Sequence, residues 1–341
     1  MSNMERDPVP ELVEGPTPLA PGPSTSSGTG NGSRTDGGVQ ILEPRDVPLG
    51  GPRAMNVRRT LPQRARSLIG AWCFVDHYGP DAVTPSVGMN VPPHPHTGLQ
   101  TVSWLFAGEI DHRDSVGSHA IVRPGELNLM TAGRGIQHSE VSLPQTTVLH
   151  GAQLWIALPD STRNTAPFFE RFVPEPFDLE GATVRVFLGE LLGHSSTART
   201  FTRVVGAQLD LPANTTLSIP VDSDFEYGIL VDAGSPTVDG CAVARAEIAY
   251  LAPGADAIKI SSGTEPLRAL LIGGEPLGES IVMWWNFIGR SHEEIVKFRT
   301  RWQADVIAGG DQDGLFGRVR GYDGSALPAP ELPNIRLKPR D

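Results

Sequence analysis

The feature that most narrows the folds open to this chain is the shortness of its apolar runs. The segments 99–107, 119–123, 127–131, 147–158, 183–189, 203–211, 227–232 and 267–273 are separated by Gly, Pro, Asp and Asn. Runs of that length with turn-rich punctuation suit β-strands better than helices. Many short strands at fairly even spacing predict an all-β sandwich or barrel. The runs fall into two groups on either side of a proline-rich stretch with prolines at 159, 167, 174 and 176. At about 150 residues per domain, 341 residues also predict two domains.

Composition limits the classes of function. The formal net charge is -11, from 39 acidic and 28 basic side chains. A phosphate backbone repels that balance, so direct nucleic-acid binding is not expected. Cys73 and Cys241 stand far apart, without the CxxC spacing of structural zinc. No apolar stretch approaches the roughly 18 residues of a membrane span. The first residues lack the basic and apolar regions of a signal peptide. The expectation is a cytoplasmic protein that does not associate with membranes.

Of the first 40 residues, 22 are Gly, Pro, Ser or Thr, and the first aromatic is Trp72. Residues 1–38 are expected to be a disordered tail, because such a composition cannot bury enough apolar surface to offset ordering entropy. One helix is expected late in the chain. Ser291 and Glu294 have the spacing of a capping box, and Ile295, Phe298 and Trp302 then share a face that should pack on a β domain. Arg53, Arg58, Arg59, Arg64 and Arg66 lie close together. They form either an anion-binding patch or a solvated face; in a chain with 25 Arg and 3 Lys the second is the simpler reading.

Histidine placement is uneven. Of the nine, at 77, 94, 96, 112, 119, 138, 150, 194 and 292, seven lie between His77 and His150, and none falls between His194 and His292. Any histidine chemistry therefore belongs to the first β domain. His94 and His96 are two apart, so on an extended strand both imidazoles project from one face. Pro95 biases His94 toward that extended backbone. His138 and Glu140 repeat the spacing. Two neighbouring strands would then offer three imidazoles and one carboxylate to a single metal ion, leaving one or two positions open. That donor set suits Fe(II), Ni, Mn, Cu or Zn, and not Ca or Mg.

The residues around these pairs carry a resemblance. VPPHPHTG (91–98), GEIDHRDS (108–115), RPG (123–125) and above all TAGRGIQHSE (131–140) resemble the pirin family of the cupin superfamily. DHYGP (76–80), GGEPLG (273–278) and EEI (293–295) are similar to further family segments. The resemblance runs from about residue 39 to at least residue 302. It implies a bicupin: a metal-binding cupin domain over 39–160, a linker over 161–176, a metal-free cupin domain over 177–290, and a helix with an extended tail over 291–341. The implied ligands are His94, His96, His138 and Glu140, with Fe(II) the usual metal. Gln100 departs from the glutamate common at its position, which bears on the tuning of the pocket. His77 and His112 match family positions and are read as structural; Trp104 and Met130 either line the first barrel's interior or pack its core, and core packing is the simpler reading.

The activity implied is that of a quercetin 2,3-dioxygenase, which cleaves a flavonol or related aromatic with O2. Glu140 would be both ligand and general base. The alternative is an iron-dependent redox sensor acting through a protein partner, as a transcription co-regulator or a modulator of a metabolic enzyme.

Overall fold

Antiparallel pairing assembles the apolar runs into two β-barrels. The computed structural model describes residues 33–36, 38–49, 55–84 and 87–341. The first barrel has a seven-stranded sheet ordered Phe168–Phe172, Leu127–Thr131, Leu99–Ala107, Val148–Ala157, Trp72–Ala82, Asn56–Leu61 and Arg45–Pro48. A four-stranded sheet closes it: Asn90–His96, Ile136–Ser142, Ile110–Asp114 and His119–Val122. The second barrel has an eight-stranded sheet built on Glu226–Ala233, Leu267–Gly274 and Val204–Leu211, and a four-stranded sheet built on Thr216–Pro220 and Ala257–Ser261. The fold is the all-β bicupin with one C-terminal α-helix.

Three cores explain why the central strands read as nearly continuous apolar runs. The second barrel is filled by aliphatic side chains such as Val184, Leu209, Ile229, Ile258 and Leu271. Another core lies between the large sheets, where Trp72, Trp104 and Leu154 meet Phe187, Leu230 and Ile272. A strand such as Leu99–Ala107 thus buries both of its faces. Trp104 packs in this layer between the barrels, in the core role expected for it. Its ring stacks on Phe187 at 4.5 Å, and its Nε1–H donates to Gln208 Oε1 at 2.8 Å. Met130 instead packs with Leu99, Ile136 and Trp155.

The two chain ends cross between barrels, which the sequence boundaries miss. Ser33–Asp36 pairs with Val39–Leu42, and Val39–Leu42 pairs with Ile248–Leu251 in the second barrel's large sheet. Residues 33–36, read as part of the disordered tail, are therefore a strand; residues 1–32 of that stretch lie outside the described residues. The reason is partnering: the strand Ile248–Leu251 gains a neighbour on its open edge, and Val39 and Ile41 enter the second core. The 161–176 linker also contains a strand, Phe168–Phe172, paired with Leu127–Thr131 of the first barrel. At the other end, the hairpin Val282–Trp284 and Phe287–Gly289 returns to the first barrel, where Ile288 N–H donates to the Thr97 carbonyl at 3.1 Å. Gly98 makes this close approach possible. Its φ is +70°, and a Cβ there would sit 2.6 Å from the Ile288 carbonyl oxygen.

The helix His292–Trp302 is capped by Ser291, whose Oγ accepts from Glu294 N–H at 3.3 Å. Glu294 does not close a reciprocal box on Ser291. It accepts instead from Arg290 N–H at 2.8 Å and from both terminal nitrogens of Arg163 at 2.9 and 3.0 Å. Ile295 and Trp302 are buried and Phe298 partly so, in a cluster with Phe287 and Phe316. Among the described residues no helix is long and apolar enough to cross a membrane.

Candidate metal centre

The strands Asn90–His96 and Ile136–Ser142 are antiparallel neighbours, and their register sets His138 directly opposite His94 and Ile136 opposite His96. The register shifts between His138 and Glu140, with Pro92 and Pro93 opposite the single residue Ser139, so that Glu140 pairs with Val91. All four candidate ligands are buried. The coordinating nitrogens of His94, His96 and His138 lie within 4.8 Å of one another, with His96 Nε2 and His138 Nε2 3.1 Å apart. Glu140 is not within that spacing of all three. It groups instead with His138 and His112, and its Oε1 lies 3.4 Å from Ser103 Oγ.

The protonation chemistry suits a metal ion. Burial, aided by the neighbouring imidazoles, lowers the pKa of His96 and His138 well below the usual histidine range, and burial lowers that of His94 to about 4. The three imidazoles are therefore neutral, with lone pairs available. His94 Nδ1–H donates to the Pro92 carbonyl at 2.9 Å, which leaves its Nε2 as the free donor atom. A ring nitrogen tied to a backbone carbonyl in this way is a recurrent partner of metal-ligating histidines. Burial raises the Glu140 pKa, with His112 and Ser103 opposing. Three buried bases and a buried carboxyl packed together are costly unless something uses their lone pairs. The donor set fits a divalent transition metal, and the fold and these residues together support a metal cofactor.

His112 proves to be part of this cluster, although its sequence position points to a structural role. Its Nδ1 lies 3.3 Å from His138 Nδ1, its ring stacks on Phe169 at 4.8 Å, and its Nε2 is 3.5 Å from Asp114 Oδ2. Gln100 is fully buried and is absent from the cavity wall. Its amide donates to Thr131 Oγ1 and to the Arg199 carbonyl, both at 2.9 Å, tying the first barrel to the loop before Val204–Leu211.

A cavity of about 440 Å³ opens above the cluster. Its wall includes Phe74 and Trp155, stacked at 4.0 Å, with Trp155 edge-on to His96 at 5.0 Å. Arg45 and Arg59 line it on one side, and Met283, Trp284 and Trp285 reach it from the returning C-terminal hairpin. Trp285 adopts φ +51°, a left-handed conformation uncommon for a bulky residue. No local motif marks these hairpin residues as part of the site, because only tertiary crossing brings them there.

The arginines of the 53–66 segment separate onto individual partners. Arg58 donates to the Gly79 carbonyl and to His77 Nδ1, Arg59 clasps Asp76 at 2.6 and 2.7 Å, and Arg66 lies over Tyr250 at 3.4 Å. Arg64 is exposed, and Arg53 lies outside the described residues.

A second cluster, His77, His150 and Asp232, joins the two barrels. Asp232 Oδ1 accepts from both imidazole Nε2 atoms, at 2.6 and 2.5 Å, while Arg58 and Arg268 donate to the two Nδ1 atoms at 3.2 and 3.4 Å. Every ring nitrogen is thus engaged, and the cluster is a polar lock with no lone pair left for a metal.

Comparison with known proteins agrees with this geometry. The Pirin family model matches residues 54–156, and the Pirin C-terminal cupin domain model matches residues 206–307. A Pseudomonas aeruginosa protein named "Putative quercetin 2,3-dioxygenase" is 41% identical over 297 residues, covering 86% of this chain and 91% of the relative. A Caulobacter vibrioides pirin-like protein is 34% identical over 301 residues, covering 85% of this chain and 99% of its own length. A crystal structure of quercetin 2,3-dioxygenase from Acinetobacter baumannii superposes with a TM-score of 0.81 at 38% identity, covering 88% of this chain and 97% of that one. Two barrels with a buried histidine cluster in the first, and both halves matched by the corresponding models, place this chain in the pirin family of the cupin superfamily.

Proposed function

We propose that this protein is a metal-dependent dioxygenase that cleaves a flavonol or a closely related aromatic with O2, and that His94, His96, His138 and Glu140 hold the metal, Fe(II) in the first instance. The observation that carries this reading is the position of three neutral imidazoles at the base of a cavity with aromatic walls. The relatives named as quercetin 2,3-dioxygenases support the substrate class. Bound there, the metal would supply a Lewis-acidic centre with open positions for the substrate and O2.

The chain's own residues supply the rest. The stacked Phe74 and Trp155 present a flat apolar wall against which a planar ring can lie, and the hairpin tryptophans cover it and exclude water. Glu140, its pKa raised by burial, takes the proton of the substrate's 3-hydroxyl onto a carboxylate oxygen. Ser103 Oγ stands 3.4 Å from Glu140 Oε1 and 2.8 Å from Gln153 Oε1. Its single proton serves one of them at a time, so it can turn to Glu140 when that carboxylate is ionised. In the overall reaction, O2 adds to the flavonol, and carbon monoxide and a depside ester leave.

Oxygen uptake and carbon monoxide release test the reading. Protein loaded anaerobically with Fe(II) is mixed with quercetin and then exposed to O2, with His96→Ala as the control. Stoichiometric uptake and CO release that vanish in the control are expected. Loaded protein that leaves quercetin and O2 untouched overturns the reading and returns attention to a regulatory role through a protein partner.

A further inference from the structure

Building on the assignment of the cavity as the substrate site, we propose that it selects aromatic substrates carrying a carboxylate remote from the metal-binding end, and that Arg45 is the residue that reads this charge. Arg45 and Arg59 are direct cross-strand partners, and both line the cavity. Their charges are met unequally. Arg59 is satisfied by the buried Asp76 through two hydrogen bonds at 2.6 and 2.7 Å, and its guanidinium lies over the Phe74 ring at 4.3 Å. Among the described residues the exposed Arg45 forms no ion pair and a single hydrogen bond, from Nη1 to the Pro62 carbonyl at 2.8 Å.

The other charged groups around Arg45 do not cancel it. Arg59 and Arg340 crowd it with like charge, and Asp76, which offsets them, is already clasped by Arg59. The cavity's remaining acid, Glu140, belongs to the candidate metal centre. A chain of net charge -11 therefore turns a surplus cation toward the site where its substrate would lie. Guanidinium nitrogens left without a carboxylate, at the rim of a cavity with an aromatic wall, match a planar carboxylate better than a neutral hydroxyl.

The probes are 3-hydroxyflavone bearing a 4′-carboxylate and its 4′-carboxamide. They share the ring system and the hydroxy-ketone edge, and differ only in charge at the far end. Binding is measured anaerobically by calorimetry on the full-length, Ni(II)-loaded protein. The acid is expected to bind about tenfold more tightly than the amide. Arg45→Gln should abolish this preference, Arg45→Lys should keep part of it, and Arg64→Gln on the surface should leave it intact. Equal binding of acid and amide, failure of both to bind, or a preference that survives in Arg45→Gln would each overturn the proposal. Binding needs no O2, so the two readings fail separately: an acid that binds tightly and is not cleaved removes the dioxygenase reading alone, and flavonols cleaved without regard to charge remove this one alone.

Discussion

The Nδ1 atoms of His138 and His112 stand 3.3 Å apart, on the side of the His138 ring away from His96. One of the two must carry the proton between them. If His138 donates, its Nε2 is fixed as the lone-pair atom that faces His96 and His94. His112 then points an Nε2–H toward Asp114 Oδ2, 3.5 Å away. His112 is in this sense a positioning residue for a candidate ligand.

This relationship predicts the behaviour of His112→Phe, which keeps the stack on Phe169 and removes the proton acceptor. Metal affinity should fall about 10- to 100-fold, as for other partners that orient a metal-ligating histidine. The metal-free protein should lose no more than about 1–3 kcal/mol of stability, the cost of leaving the buried His138 Nδ1–H unpaired. Chelator competition with Ni(II), run beside thermal unfolding of the metal-free protein, checks both. Unchanged affinity would mean that His112 only packs.

A second prediction concerns Gln100→Glu, which puts a carboxyl in place of a fully buried amide. Here the Gln100 amide donates two buried hydrogen bonds, to Thr131 Oγ1 and the Arg199 carbonyl. A glutamate cannot donate both, and it would turn a buried carboxylate toward a carbonyl oxygen. The substitution should cost about 2–4 kcal/mol of stability while leaving metal content at the parent level. Denaturant unfolding and metal analysis of the variant check it; a variant as stable as the parent would show that the two hydrogen bonds are dispensable.

The lock between the barrels predicts a pH dependence. Burial lowers the pKa of His77, with Asp232 opposing, so the folded state keeps it neutral where the unfolded chain protonates it, below about pH 6.5. The unfolded state then binds more protons, and stability falls as pH falls. Asp232 behaves differently. Burial works to raise its pKa, but hydrogen bonds from His150 and His77 and the Arg268 charge outweigh that and hold its carboxyl far below the usual range. Its contribution therefore persists until the pH drops below about 4. Melting temperatures of metal-free parent and His77→Gln at pH 7.5 and 5.0 test this. The parent should lose more stability over the interval than the variant; equal losses would contradict the assignment.

What was legible in the sequence follows from the range over which each signal acts. The spacing of His94 with His96 and of His138 with Glu140 is local, so alternation along a strand is enough to place each pair on one face. The histidine-free stretch between His194 and His292 is legible for the same reason, since it cannot build a histidine site. Strand exchange at the chain ends is not legible: Ser33–Asp36 pairs with Val39–Leu42, and that strand in turn takes its place from an edge more than 200 residues away along the chain. Arg45, Trp284 and Trp285 join the site through tertiary crossing, and Gln100 shows its true partners only once the Arg199 loop is in place.

The central claim is that one metal ion is held by His94, His96, His138 and Glu140. Its most direct test is metal stoichiometry after anaerobic reconstitution with Fe(II) and removal of unbound metal, for the parent, His96→Ala and His138→Ala. The account predicts about one ion per chain in the parent, and near-complete loss in both variants while each retains its β-sheet circular dichroism. Parent-level metal in folded His138→Ala would contradict it.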